Sequence, residues 1–477
     1  MFNAGLALDQ LLAPPGAPAI PLWLLRESDL AAFKAAQPAA VGAWLQQHGF
    51  VAERHRILGI PGSSGEIVGA VAGVGALDDW SKLSLWHVAG LIERLPARDF
   101  LLATPLAAEP GAQLLLGWLT GAYRLTRFKS NAAAPKTTGA ARARLIPPAN
   151  LDVQAVINQA TASAWARDLI NAPANELGPA ELAEAARALA EEFSAEFRCL
   201  AGEELLAHNY PLVHAVGRAS DKAPRLIDIR WGDPAKPLVT LVGKGVCFDS
   251  GGLDIKPGAG MLLMKKDMGG AAVALGIARC LMARAAPIRL RVLVPAVENS
   301  IAGGAYRPSD IVRSRRGITV EIGNTDAEGR LILADALAEA DGERPALLLD
   351  FATLTGAARV ALGPELPAVF SNSDSLMTDI KRCGDLEVDP VWPMPLWDSY
   401  DEELSSRIAD INNVASSSFA GAIFGALFLR RFVAASGAWA HFDLYAWNGR
   451  DRPGRPVGAE AQCLRLADRL IAERFGR

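Results

Sequence analysis

The sequence predicts an α/β fold: a C-terminal α/β/α domain with a mixed, largely parallel sheet, plus a smaller N-terminal α/β domain. Three observations carry this. From about residue 180 onward, strand-like and helix-like patterns alternate, as in sheets covered by helices. The chain has 477 residues, more than one ordinary domain holds. Between them lies a basic, Ala/Pro/Thr-rich stretch without periodicity, RFKSNAAAPKTTGAARARLIPPANLD, which reads as a boundary near residues 127–150. Residues 1–148 are therefore expected to form one domain and residues 149–477 the other.

The elements follow in order. Residues before about 126 mix short apolar segments with turns (ILGIPGSSG, IVGAVAGVGAL) and a helical pattern, DDWSKLSLWHVAGLIERL. After the boundary, VQAVINQATASAWARDLINAPAN reads as a helix that stops at Pro173, because proline cannot continue it. AELAEAARALAEEF and GGAAVALGIARCLMARA read as helices, and RLIDIRW, LVTLVGKGV, IRLRVLVPAV, ITVEI and ALLLDFATLTG as strands. RLILADALAEA has apolar residues at helical spacing. FAGAIFGALFL (Phe419–Leu429) ends at Arg430-Arg431; it is too short to span a bilayer and reads as a buried helix.

Bulk composition narrows the function classes. Apolar residues make up 51% and charged residues 21%, with a net charge of −4 and no basic block. A large core is expected, and neither a nucleic-acid partner nor a membrane is. The five cysteines are scattered without a C-x-x-C pair, which fits a reducing compartment. MFNAGLALDQ lacks a basic signal-peptide start, so the expectation is a soluble, cytoplasmic protein.

Three loops gather polar residues at the ends of apolar elements. LVGKGVCFDSGGLDIKPG carries Lys244, Asp249, Asp254 and Lys256; MKKDMGGAA places Asp267 before an apolar helix; GNTDAEGRLIL packs Asn324, Asp326, Glu328 and Arg330 between a strand and a helix. Any one loop could be capping plus an ion pair. Three together need another explanation, since Asp249, Asp267, Asp326 and Glu328 would repel one another unless cations balanced them. Carboxylates are hard oxygen ligands, and glycines let backbone approach a ligand closely. Two divalent cations would neutralise the cluster and could activate water against a carbonyl or a phosphoryl group. The residues alone leave both reactions open. None of the six histidines forms an HExxH or a close pair, so a histidine-based zinc site is not expected; His441 in WAHFDLYAW reads as a core residue. GKG lacks the phosphate-loop spacing, and FDSGG lacks the G-x-S-x-G elbow.

VGKGVCFDSGGLDIKP, MKKDMGGAA and NTDAEGRLILADAL, with DLINAPANELGPAEL and DFATLTGA, closely resemble the leucyl aminopeptidase family of two-metal peptidases over roughly residues 150–450. The resemblance implies hydrolysis of the N-terminal peptide bond by a metal-held hydroxide. It implies Lys244, Asp249, Asp267, Asp326 and Glu328 as ligands of two divalent ions, Zn or Mn first, with Mg or Co as alternatives. Lys244 would act as a neutral amine, Asp249 and Glu328 would bridge, and Asp326 would serve the more exchangeable site. Arg330 would hold a bicarbonate-like anion as proton relay, and Lys256 would stabilise the intermediate. Met264, Asn324, Thr353, Leu354, Gly356 and Tyr445 would contact a peptide substrate. The resemblance further implies a homohexamer, with the N-terminal domain aiding assembly and access. An idle scaffold of the same fold would lack some of these residues; all are present. Three departures stand out: Leu262-Leu263 where polar residues are common, Tyr445 and Trp447 where small residues are common, and a rearranged RDRPGRPVGAEAQ segment.

Overall fold

The computed structural model describes residues 8–128, 142–149 and 151–476. The N-terminal residues on which the absence of a leader was judged, and most of the aperiodic boundary stretch, lie outside the described residues. By its internal contacts the chain divides into two compact units: Ala4–Ala164 with Arg450–Val457, and Trp165–Gly449 with Gly458–Arg477. The expected boundary at 148/149 falls before the helix Val153–Asn171, whereas the division by contacts falls within it. A continuous helix gives the sequence no turn signal at that point.

The smaller unit is built on a five-stranded sheet in the order Ile57–Pro61, Ile67–Gly75, Ile20–Arg26, Asp99–Leu102, Arg144–Ile146. Only the first pair is antiparallel. Leu25, Leu45, Phe50, Ile60 and Val71 fill one core against it. The expected helix over DDWSKLSLWHVAGLIERL is broken into three short turns, Trp80–Lys82, Leu85–Val88 and Leu91–Arg94. Ser84 restarts the chain by pairing with His87, and Gly90 opens the last turn.

The larger unit carries a nine-stranded mixed sheet. Its order is Trp392–Pro393, Ala368–Ser371, Trp439–Asp443, Leu347–Ala352, Leu238–Gly243, Arg289–Asn299, Arg225–Gly232, Glu196–Ala201, with Gly245–Asp249 also pairing Arg289–Asn299. The central pairs are parallel and the flanking ones mostly antiparallel. Strand Arg289–Asn299 is buried at nearly every position, the pattern of a strand covered on both faces. Helix Gly269–Ala283 has thirteen buried residues, and helix Glu328–Gly342 packs into a second core with Leu331, Leu333, Leu337, Phe428 and Trp439. The segment Phe419–Leu429 does form a buried helix, Gly421–Arg430. Among the described residues no helix is long and apolar enough to cross a membrane. ITVEI departs from expectation: only Thr319–Glu321 is a strand, and it joins a separate three-stranded sheet with Ile311–Arg313 and Ile411–Asn412.

Candidate active site

Strand Arg289–Asn299 is long enough to pair two successive short strands, and Lys244 is the single residue between them. Its backbone is pinned on both sides, Lys244 N donating to Phe351 O and Lys244 O accepting from Ala271 N, each at 2.9 Å. The side chain is thereby fixed beyond the carboxyl edge of the sheet, where ligands of α/β proteins gather. Its Nζ lies 2.8 Å from Asp267 Oδ2, 2.9 Å from Glu328 Oε1 and 2.9 Å from Thr353 O. Gly329 makes room for it: a Cβ there would meet Lys244 Cε at 2.6 Å.

A second lysine organises the other half. Lys256 Nζ lies 2.8 Å from Asp249 Oδ2 and 2.5 Å from Asp326 Oδ1. The turn between Asp249 and Lys256 depends on Gly251 and Gly252, with φ of +89° and +66°, conformations that favour glycine. Asp249 Oδ1 accepts from Gly251 N and Asn299 Nδ2, both at 2.9 Å. Asp254 does not join the acid cluster; it accepts from Thr325 N at 2.7 Å and ties this loop to the NTDAEGR loop.

Asp249, Asp326 and Glu328 can each offer an oxygen within 4.8 Å of the others, the arrangement that can hold a metal ion. Asp267 lies outside that trio but shares Lys244 with Glu328, and Thr353 Oγ1 donates to it at 2.6 Å. Glu328 Oε2 is buried without a hydrogen-bond partner. Such an atom is costly unless a cation faces it. The donor set therefore fits hard divalent cations.

The electrostatics agree. Burial and then the neighbouring Asp249 push the Glu328 carboxyl up to about 8 and that of Asp326 up to about 6, against the pull of the lysines. Without a metal, Lys244 is not the neutral amine a ligand must be. Burial pushes its amine down, but Asp267, Glu328 and Asp249 together push it further up. Desolvation alone therefore does not neutralise Lys244; a cation would have to displace its proton.

Arg330 sits in the first turn of helix Glu328–Gly342, buried, with Nη1 donating to Asn413 O at 2.7 Å and Nε without a partner. Burial pushes its guanidinium down to about 10 against the pull of Glu328 and Asp443. Of the expected substrate contacts, Leu354 N donates to Asp443 Oδ1 at 3.0 Å. Gly356 opens a short helix with free space beyond its Cα, and Met264 starts the half-buried turn before Asp267. Asn324 is occupied with the loop itself, Oδ1 accepting from Asp326 N at 2.7 Å. The Tyr445 ring has Lys266 Nζ 4.5 Å and Arg359 Cζ 5.1 Å from its centroid. His441 is a buried core residue, with Nδ1 2.5 Å from Asp350 Oδ1.

Sequence reasoning missed Asn413. It is fully buried, its Oδ1 accepts from Gly323 N and Asn324 N, its Nδ2 donates to Asn324 O, and its carbonyl holds Arg330. Asn299, Tyr306 and Asp443 were missed as well: Asn299 and Tyr306 both donate to Thr325 O, and Asp443 anchors the Leu354 and Thr355 amides.

The catalytic-domain model of the cytosol aminopeptidase family matches residues 164–466. The chain belongs to that family. An M17 aminopeptidase N-terminal domain model matches residues 20–139. The family comprises metal-dependent exopeptidases of the leucyl aminopeptidase type. A probable cytosol aminopeptidase of Geobacter sp. (strain M21) is 40% identical over 80% of this chain and 79% of its own length. That of Syntrophotalea carbinolica is 45% identical over 65% of this chain, which spans 63% of that relative. The crystal structure of the cytosol aminopeptidase from Coxiella burnetii superposes with a TM-score of 0.91 at 42% identity, covering 98% of this chain and 99% of the other. The bottromycin maturation enzyme BotP in complex with Mn gives a TM-score of 0.86 at 31% identity, covering 96% of this chain and all of the other.

Proposed function

We propose that this chain removes the N-terminal residue of peptides, using two divalent cations held by Lys244, Asp249, Asp267, Asp326 and Glu328. The observation that carries this is the trio Asp249, Asp326 and Glu328 with the orphaned Glu328 Oε2, within the segment that the family's catalytic model matches. Bound cations supply Lewis-acid polarisation of the scissile carbonyl and acidify a water. Zn or Mn is the first expectation and Mg or Co the alternative; the ligands are mixed N and O and do not select among them.

The protein's own groups do the rest. Asp267, buried and oriented by Thr353, accepts from the substrate's free α-amine and so confines cleavage to the first bond. Lys256 reaches over Asp249 and Asp326 with an exposed edge and stabilises negative charge on the carbonyl oxygen as the carbon becomes tetrahedral. Arg330 has Nε free to donate while Nη1 is held by Asn413 O, which suits it to hold a bicarbonate-like anion that relays the proton to the leaving amine. Thr353, Leu354 and Gly356 line the peptide's path. The family membership supports a cytoplasmic homohexamer in which the N-terminal unit aids assembly.

The test is hydrolysis of aminoacyl-anilides by metal-stripped protein, before and after adding Mn²⁺ or Zn²⁺, with N-acetylated controls. Metal-dependent release from free-amine substrates alone is expected. Release from the acetylated substrates, or none with any metal, contradicts the reading.

A further inference from the structure

Strand Arg289–Asn299 ends beside the acid cluster. Its last residue, Asn299, stands opposite Asp249 in the parallel pairing with Gly245–Asp249 and is fully buried. The Asn299 carbonyl accepts from Ser250 N at 3.1 Å and from Ser250 Oγ at 2.6 Å, which fixes the backbone there. The side chain then reaches two loops at once. Its Nδ2 lies 2.9 Å from Asp249 Oδ1 and 3.1 Å from Thr325 O. A primary amide has two N–H bonds, so each acceptor receives one. The other end of the amide is left out: Asn299 Oδ1 is buried without a partner, and a Cβ at Gly252 would lie 2.9 Å from it. Turning the amide over would set its oxygen against two other oxygens. An empty buried acceptor is costly, so the side chain gives up one bond to keep the two that join the loops.

Both loops carry acids of the site, since Thr325 immediately precedes Asp326. With Gly251 N also at 2.9 Å, Asp249 Oδ1 has two neutral donors. Oδ2 is the oxygen turned to Lys256 Nζ, at 2.8 Å. Neutral amides orient a carboxylate without cancelling the charge that a cation needs, as a lysine or arginine in this place would. Thr325 O takes a second bond from Tyr306 Oη, at 2.5 Å. We infer that Asn299 is a positioning residue for the two cations: its amide sets which Asp249 oxygen faces them and how far Asp249 stands from the Asp326–Glu328 loop. This rests on the two-cation reading above. Tyr306 shares the bond to Thr325 but not the one to Asp249, so comparing the two residues isolates the Asp249 contact.

The experiment titrates the metal-stripped full chain with Mn²⁺, following the free ion by electron paramagnetic resonance. Asn299→Ala should weaken Mn²⁺ binding by about 10–100-fold, the usual cost of losing a residue that orients a ligand, with the far-UV circular dichroism unchanged. Tyr306→Phe should keep the wild-type affinity. Saturated with Co²⁺, Asn299→Ala should shift the visible absorption bands, because a turned carboxylate changes the ligand field, and Tyr306→Phe should not. Asn299→Leu fills the void without a donor, should behave as the alanine variant does, and serves in its place if that variant does not fold. Wild-type affinity or wild-type bands in the Asn299 variants overturn the inference. So does an equal loss in Tyr306→Phe, which would make the Thr325 loop the seat of the effect. If neither Asn299 variant folds, the residue is structural and the inference fails. In all these cases, two equivalents bound by the wild type leave the two-cation reading standing. No cation bound by the wild type removes that reading and this inference together.

Discussion

The two halves of the site differ in depth. Around Lys244, the lysine, Asp267 and Glu328 side chains are 2%, 4% and 2% exposed. Around Lys256, the lysine is 15% and Asp326 32% exposed. The closed half is anchored on regular structure: a strand junction, the start of helix Glu328–Gly342 and the end of strand Leu347–Ala352. The open half is borne by two loops tied together through Asp254 and Thr325. A cation in the closed half would have to desolvate fully and leave through protein, whereas one in the open half faces solvent. One scaffold can thus hold one cation firmly and exchange the other. Glu328 joins the halves geometrically, since it contacts Lys244 and can offer an oxygen within 4.8 Å of Asp249 and Asp326.

The largest expected effect comes from breaking the shared element. Glu328→Gln should lower kcat on the order of a thousandfold or more and reduce metal content in both halves, with the far-UV circular dichroism unchanged; full metal content would contradict the bridging role. Lys256→Ala comes next, with kcat down by roughly 10²–10³-fold, as for loss of one charge-stabilising donor. Its metal content should be kept, and metal loss would instead make Lys256 a structural counter-ion. Asn413→Ala removes the clamp on the NTDAEGR loop. It should cost about 10–100-fold in activity or metal affinity, the usual range for a residue that orients ligands; wild-type values would show that the loop holds its own shape.

The pH dependence gives the mildest effect. Burial and Asp249 raise the carboxyls of Glu328 to about 8 and Asp326 to about 6 in the metal-free protein. Raised values mean bound protons, and these must leave before a cation binds. Metal affinity should therefore rise with pH through this window and metal uptake should release protons, measurable by calorimetry in buffers of different ionisation heat. Affinity independent of pH from 6 to 8 would contradict it.

Much of this was legible in the sequence because the chemistry is local. Lys244, Asp249 and Lys256 share one loop, and Asp326, Glu328 and Arg330 share another, so composition at the ends of apolar elements pointed to them. The alternating pattern after residue 180 gave the mixed sheet for the same reason. What stayed hidden acts across long separations. Asn413 reaches the NTDAEGR loop from about ninety positions away, out of a segment, INNVASSS, that reads as an ordinary polar loop. Asp443 lies in a buried strand, where a carboxylate looks misplaced until the Leu354 and Thr355 amides are seen on it. ITVEI alternates as a strand should, but periodicity cannot say which sheet a strand joins. The protonation of Lys244 depends on three acids that the fold assembles, which burial alone does not foretell.

The measurement closest to the central claim is metal stoichiometry during graded chelation, followed by elemental analysis of the protein, for wild type and Asp326→Asn. Two unequal halves predict two equivalents per wild-type chain, one leaving at low chelator and the other only at high chelator or after unfolding. The variant should retain the slow equivalent alone. A single equivalent in the wild type, or two that leave together in both proteins, would contradict a two-cation site divided into a closed and an open half.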